Sequence, residues 1–397
     1  MKNNLALLLC LFFSHAVFHF LAQSFAVLLP SIQQTFGVTP VQIGALITVR
    51  EIAVGLISLP GGILSDYFVR HRAHLLTGCL LLYGIAWLII GWAPHFAVLY
   101  GCMVLIAAAS AVWHLPSLVE LGARFPDKRG TVFAIHGAGG SSGDIIGPIA
   151  TGLLLAYFSW REILTIYTVF PLVIALWTFL LLSRLCRSGP TGNAENVPSS
   201  HIDPKANLRL CWDILRTTDI WLVNVVAGLR SMCFAVLITF LPIYMHDSGF
   251  SAPSIGFHFG LLWAIGLLAS PVMGFFSDRM GRKIVLVPAL LYSSTMVAIL
   301  AYYGNGPLFT VLIILLGFSI RSDYSLINAT IIDIVKGRVE NTMLGILSFS
   351  RALMGAAAPL IAGFLYQHSG MRAALLFVSA LFFLASVLFA IARLHRT

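Results

Sequence analysis

Long apolar stretches alternate with short polar ones along the whole chain. Runs of about 20 residues, the length that crosses a ~30 Å hydrocarbon core as a helix, lie near 6–30, 43–64, 74–93, 98–121, 131–157 and 161–183. Six more lie near 218–245, 254–275, 284–303, 308–334, 342–367 and 373–394. A bilayer core offers backbone amides no water, so each run is predicted to be a helix that satisfies its own hydrogen bonds. The expectation is an all-α membrane protein with 12 transmembrane helices. The first run exceeds the ~7–15 apolar residues of a secretory signal and no A-x-A-like site closes it, so it is read as a span. Between runs six and seven, "SRLCRSGPTGNAENVPSSHIDPKANLRLCWD" is polar, holds three prolines and lacks apolar periodicity, as a linker does. The predicted organisation is a six-helix half over 1–183, a cytoplasmic linker over 184–216 and a second six-helix half over 217–397.

The two halves repeat each other at an offset near 211 residues. "GPIATGLLLAYFSWRE" pairs with "APLIAGFLYQHSGMRA", matching Pro148 to Pro359, Gly152 to Gly363 and Arg161 to Arg372. One residue further on, "GGILSDYFVRH" pairs with "MGFFSDRMGRK", matching Gly62 to Gly274, Ser65 to Ser277 and Asp66 to Asp278. Duplicated halves of this kind place a solute site at mid-membrane where they meet, and rocking of one against the other opens it to each side in turn.

Composition and charge sharpen this picture. Hydrophobic residues make up 59% and charged residues 10% of the chain, which excludes an ordinary soluble domain with roughly a quarter of its residues charged. With both termini inside, all but six of the 24 Lys and Arg fall on cytoplasmic segments, as positive-inside topology requires. Only Arg161 and Arg372 sit at outer ends, and four arginines lie within spans. The net charge of +9 is spread over these short segments. It is therefore accounted for by topology and anionic lipid, and no nucleic-acid partner is expected. The six cysteines lack C-x-x-C spacing, so neither a disulfide framework nor a zinc site is indicated.

Two motifs carry a resemblance. "GFFSDRMGRK" (274–283) is similar to the G-x-x-x-D-R-x-G-R-[RK] loop of the major facilitator superfamily, through Gly274, Asp278, Arg279, Gly281 and Arg282. The first-half copy keeps Gly62, Asp66 and Arg70 but has Tyr67 and Val69 where the family has Arg and Gly. "GDIIGPIATG", with Gly143, Gly147, Pro148 and Gly152 on the fifth run, looks like the G-x-x-x-G-P-x-x-x-G pattern of drug-exporting antiporters. Small residues four apart also let helices pack closely, whatever the function. The fourth run lacks the arginine such exporters carry. Within the superfamily, "SHAVFHFLAQSFAVLLPSIQQTFGVTPVQIG", "VWHLPS" and "GTVFAIHGAGGSSGDIIGP" resemble fosmidomycin-resistance-type transporters. Phe18 and His19 stand where those carry Asn-Asp, and Leu115 and Pro116 follow His114 where those carry Pro-Glu. The resemblance implies the major facilitator fold with cytoplasmic termini, an inner or plasma membrane location, a monomer, proton coupling and no cofactor.

A charge at a helix centre costs about 2.5–3.5 kcal/mol on insertion scales, so intramembrane polar groups mark partners or a water-filled path. His15, His19 and Gln23 recur every fourth residue and share one face of the first run. The others are Arg50 and Glu51, His114, His136 and Asp144, Arg230, Arg321 and Asp323, and Arg351. All twelve are candidates for the cavity. Glu120 and Asp333 lie close enough to the cytoplasmic ends to reach water. Imidazoles titrate near pH 6.5, so His15 or His19 is expected to take part in proton coupling. Adjacent helix positions point about 100° apart, so Arg50 and Glu51 are each expected to find a partner elsewhere. Arg50 is expected about 10 Å inside the outer end of its span. Arg230 and Arg351 are expected to be the freer charges, Arg321 having Asp323 near it.

Four intramembrane arginines, at 50, 230, 321 and 351, favour an anionic or zwitterionic solute, because guanidinium makes forked bonds to carboxylate or phosphate. The leading function is a proton-coupled exporter of such a solute. The alternative is a proton-coupled importer of an organic anion or metal-chelating metabolite. A polytopic membrane enzyme would need clustered catalytic groups, yet His136 and Asp144 are roughly 12 Å apart in helical rise, so no catalytic residue and no metal site is expected. No G-x-x-x-x-G-K-[ST] run is present to bind ATP phosphates.

Overall fold

The computed structural model describes residues 2–67, 72–187, 216–304, 306–335 and 340–392. Arg70 and residues 188–215 of the expected linker lie outside them, and of Gly62 and Asp66 only the helical backbone is described. The described chain is helical, with no strand. Its elements are α1 Lys2–Phe36, α2 Pro40–Tyr67, α3 Arg72–Gly91, α4 Ala97–Arg124, α5 Arg129–Leu154, α6 Trp160–Tyr167 and α7 Val169–Arg187. There follow α8 Thr218–Asp247, α9 Ala252–Met280, α10 Arg282–Tyr303, α11 Gly306–Ile320, α12 Ser322–Val335 and α13 Glu340–Ile391.

Among the described residues, ten helical segments are long and apolar enough to cross a bilayer. α5 is a helix but not one of them, because Gly139 to Asp144 interrupts its apolar character with small and polar residues that face inward. The runs 161–183 and 308–334 each form two helical pieces, meeting at Thr168 and Arg321. The last two runs fall in α13, whose helical dihedrals break at Gly370 (φ 76°). Straight, 52 residues would span about 78 Å, far beyond a bilayer core. The part before Gly370 packs on α2 through Pro359 and Ala352, whereas the part after it reaches α10 through Ser379 and Ser386.

α1 to α7 pack mainly among themselves, as do α8 to α13, and the two largest contacts between the groups are α2 against the first part of α13 and α5 against α9, with a smaller one of α1 against α8. Glycines make both possible. A Cβ on Gly44 or Gly363 would run into backbone of Pro359 or Pro40, and one on Gly152 into Ala252 and Gly256. Gln34 Nε2 adds a contact to His246 Nε2 at 3.3 Å. All these contacts lie toward one end of the molecule. Further along, Gly130 and Gly137 on α5 and Gly274 on α9 have no atom within 4 Å of where a Cβ would go.

Candidate functional site

Two polar clusters lie between and beside the groups. The first is built on α1, where a turn of helix brings His15 and His19 onto one face with ring centroids 4.7 Å apart. α4 adds His114 and α5 adds His136, whose ring stacks on that of His15 at 4.3 Å. Each of three imidazoles uses Nδ1 on an acceptor: His15 on the His136 carbonyl at 2.8 Å, His19 on Asp144 Oδ1 at 2.8 Å, and His114 on the Ser110 carbonyl at 2.7 Å. Gly140 leaves the space these rings occupy, since a Cβ there would come within 2.9 Å of His15 Nε2.

Asp144, buried at 2% exposure, then ties the two groups together. Its Oδ2 accepts from Arg321 Nη1 at 3.0 Å, and Arg321 Nη2 donates to Ser141 Oγ at 2.7 Å. Arg321 stands at the junction of α11 and α12, and its side chain crosses to α5. His136 and Asp144 do not meet each other; each meets a histidine of α1 instead.

The second cluster lies on the C-terminal group. Arg230 Nε donates to Asp323 Oδ1 at 2.8 Å, and its Nη2 donates to the Ile320 carbonyl. Arg351 donates to Asn328 Oδ1 at 3.2 Å, Ser348 Oγ at 3.0 Å and the Tyr324 hydroxyl at 3.4 Å, and its guanidinium sits 4.5 Å from the Tyr324 ring centroid. Across from it, Arg50 Nη1 meets Glu51 Oε1 at 2.6 Å. A cavity of about 320 Å³ lies between the groups and is lined by Gln23, Arg50, Glu51, Arg230, Phe234, Tyr324 and Arg351, with apolar walls from Phe25, Trp87 and Met103. Gln23 Oε1 is buried with no hydrogen-bond partner among the described residues.

Three pairings differ from the sequence expectation. Arg50 and Glu51 do partner each other: the flexible Arg stem bends across the angle between neighbouring positions, and partial exposure (33% and 19%) leaves room for it. Arg321 pairs with Asp144, not Asp323, because positions two apart along a helix point about 200° apart, so the two side chains face different neighbours. Arg230 is not a free charge but holds Asp323, leaving Arg351 with no carboxylate at ion-pair distance among the described residues. The tertiary fold also adds Ser141, Tyr324 and Asn328, which carried no charge to single them out. Glu120 bonds to Arg124 at 3.0 Å and lies 3.6 Å from Arg72.

The loop motif forms a compact ion network. Arg282 reaches Asp278 at 2.5 Å, Asp333 at 2.8 Å and Ser277 at 3.1 Å. Gly281 ends α9 at φ 98°, in the left-handed region where a Cβ is disfavoured, and Arg279 lies over the Phe275 ring at 4.0 Å. The family model described as Major Facilitator Superfamily matches residues 11–269 and 220–397. The chain belongs to the major facilitator superfamily.

Relatives within this superfamily divide by coverage. The chain is 32% identical over 168 residues to the puromycin resistance protein pur8 of Streptomyces alboniger, covering 42% of this chain and 32% of that protein. It is 29% identical to the multidrug resistance protein MdtG of Klebsiella pneumoniae over 39% of each. The match thus spans 32% and 39% of the length of those two relatives. The fosmidomycin resistance protein of Escherichia coli aligns more fully, at 21% identity over 94% of this chain and 89% of that one. Among solved structures, a bacterial homologue of the human lysosomal transporter Spinster, inward-facing and unoccupied, superposes with TM-score 0.83 at 14% identity over 98% of this chain and 97% of that one. The nucleoside transporter NupG gives 0.71 at 15% identity over the whole of both. Both share the major facilitator fold.

In this superfamily member the α5 motif divides its work. Gly143 and Gly147 lie against the backbone of α1 at Ala16 and Phe20, while Gly152 lies against α9 and so joins the two groups.

Proposed function

We propose that this protein is a secondary transporter that moves a small anionic or zwitterionic solute across a cell membrane by alternating access, with protons as the coupling ion. The observation that carries the reading is Arg351: a guanidinium on the wall of a cavity between the groups, held by neutral partners and an aromatic ring, with no described carboxylate to neutralise it. A solute carboxylate or phosphonate supplies the missing counter-charge by a forked bond. The unpartnered Gln23 Oε1 on the same cavity accepts from a solute ammonium or amide. Twelve crossings with both termini cytoplasmic fit the distribution of Lys and Arg. On that topology the closely packed end is the outer one.

Export is the favoured direction, supported by the resistance proteins among the relatives. Import with protons is a second reading, and the Arg50–Glu51 pair favours it. A solute anion that takes Arg50 leaves Glu51 without its counter-charge inside the bundle, an arrangement costly until a proton neutralises it. Anion and proton then bind together and travel the same way.

Proteoliposomes under an imposed pH gradient, screened against anionic metabolites and drugs, separate the readings. Uphill solute movement against the inward proton flow is expected for export, and movement along with protons for import; a protonophore abolishes either. Arg351→Ala should weaken solute binding by about tenfold to a hundredfold, the loss of a charged hydrogen-bonded contact of ~1.5–3 kcal/mol. Transport indifferent to both the gradient and Arg351 would remove the proposal.

A further inference from the structure

We propose that His15, His19 and His114 form an open three-imidazole site for a divalent transition-metal ion of the zinc class. One ring nitrogen of each lies within 4.8 Å of the others. The hydrogen bonds decide which nitrogen is free. With Nδ1 of all three engaged on two backbone carbonyls and a carboxylate, each Nδ1 carries the proton and each Nε2 keeps its lone pair. These free nitrogens, on rings from two helices whose centroids lie 4.7 to 6.2 Å apart, have no hydrogen-bond donor among the described residues. A cation satisfies them.

The surroundings match what metal-bound imidazoles require. A ligating histidine donates its other N–H to a carbonyl or carboxylate, which sets tautomer and ring orientation, and all three do so here. For His19 the acceptor is Asp144, the buried carboxylate whose second oxygen is held by Arg321. Spacing of four residues on one helix places two imidazoles side by side, as metal-binding helices do. Tetrahedral coordination at about 2.0–2.1 Å puts ligand nitrogens roughly 3.4 Å apart, so the rings close by about 1.4 Å from 4.8 Å. His19, a third exposed, has room to turn and gives an ion a way in. His136 supplies a second observation: it is 3% exposed, stacked on His15, and its Nδ1 has no hydrogen-bond partner among the described residues. Three imidazoles leave a coordination position for water, His136 or a solute atom.

The test uses the full chain in detergent, stripped with chelator and with any histidine tag removed. Cobalt(II) is titrated as an optical probe and displaced with zinc(II). The expected result is one ion per chain with the intense visible absorption of a tetrahedral site, bleached by zinc. His15→Gln, His19→Gln and His114→Gln should each weaken binding more than a hundredfold. Asp144→Asn should weaken it about tenfold to a hundredfold, the range for a residue that orients a ligand. His95→Gln and His368→Gln, both exposed, should bind as the parent does. If the histidine variants fail to fold, X-ray absorption on the zinc-loaded parent decides: three or four imidazole nitrogens at about 2.0–2.1 Å support the site, and a shell with one imidazole or mostly oxygen overturns it. No binding to the parent at millimolar ion, or binding unmoved by all three substitutions, also overturns it. None of these readouts involves solute movement, so failure here leaves the transport reading standing, and the reverse.

Discussion

Asp144 is the residue on which the two groups depend most directly, since one carboxylate serves His19 from its own group and Arg321 from the other. Removing one partner of a buried ion pair typically costs ~3–5 kcal/mol, because the remaining charge is stranded. Arg321 is about a quarter exposed, which softens its side of the loss. Asp144→Asn is therefore expected to lower the melting temperature clearly, Arg321→Gln by less, and the double substitution by less than the sum. A thermal melt of all three in detergent reads this; additive losses would mean that the pair does not couple. Arg50 and Glu51 line the cavity and are more exposed than Arg321 and Asp144, so Arg50→Ala is expected to lower the melting temperature by less than Asp144→Asn does, the stranded Glu51 taking up a proton. Its effect should fall instead on the pH dependence of transport.

At the scale of elements, the glycines of α5 hold two different neighbours. Gly147 lies against Phe20 backbone on α1, inside one group, whereas Gly152 lies against Gly256 on α9, across the groups. Overpacking a tight contact costs about 1–3 kcal/mol, but where that cost falls differs. Gly147→Ile should impair folding of the N-terminal group, seen as loss of monodisperse protein. Gly152→Ile should leave the protein folded and shift it away from the state with that end closed, read as a change in protease or thiol accessibility. Equal folding defects from both would refute the division. The Arg282 network joins α9, α10 and α12 at the end opposite Gly152. Asp278→Asn is expected to slow transport while equilibrium solute binding persists, because the network lies away from the cavity-lining residues.

For the molecule as a whole, close approaches between the groups lie at the end that holds Gly44, Gly152 and Gly363, and the proposed rocking must separate them. Gln34 and His246 meet at the packed end. Replacing both with cysteine and joining them with a short thiol-reactive cross-linker should stop transport, and a cleavable linker should restore it on reduction. Transport that continues while cross-linked would show that this end does not open.

The sequence by itself determined the helices, because apolar runs of membrane length have only one way to satisfy their backbones. It also determined the family, through the Gly274–Lys283 loop, and the α1 stripe of His15 and His19, which follows from helical period alone. It could not determine which charges meet. Arg50 and Glu51 read as separate because backbone geometry sets where side chains start, not where a long flexible one ends. Arg321 beside Asp323 read as a local pair, but the two lie on different sides of their span, so Arg321 crosses to Asp144 and Asp323 meets Arg230. Likewise His114, a hundred positions along the chain from His15, joins α1 only because α4 packs beside it. Partners inside a bundle are chosen by helix packing and side-chain reach, and both depend on contacts between residues far apart in the chain.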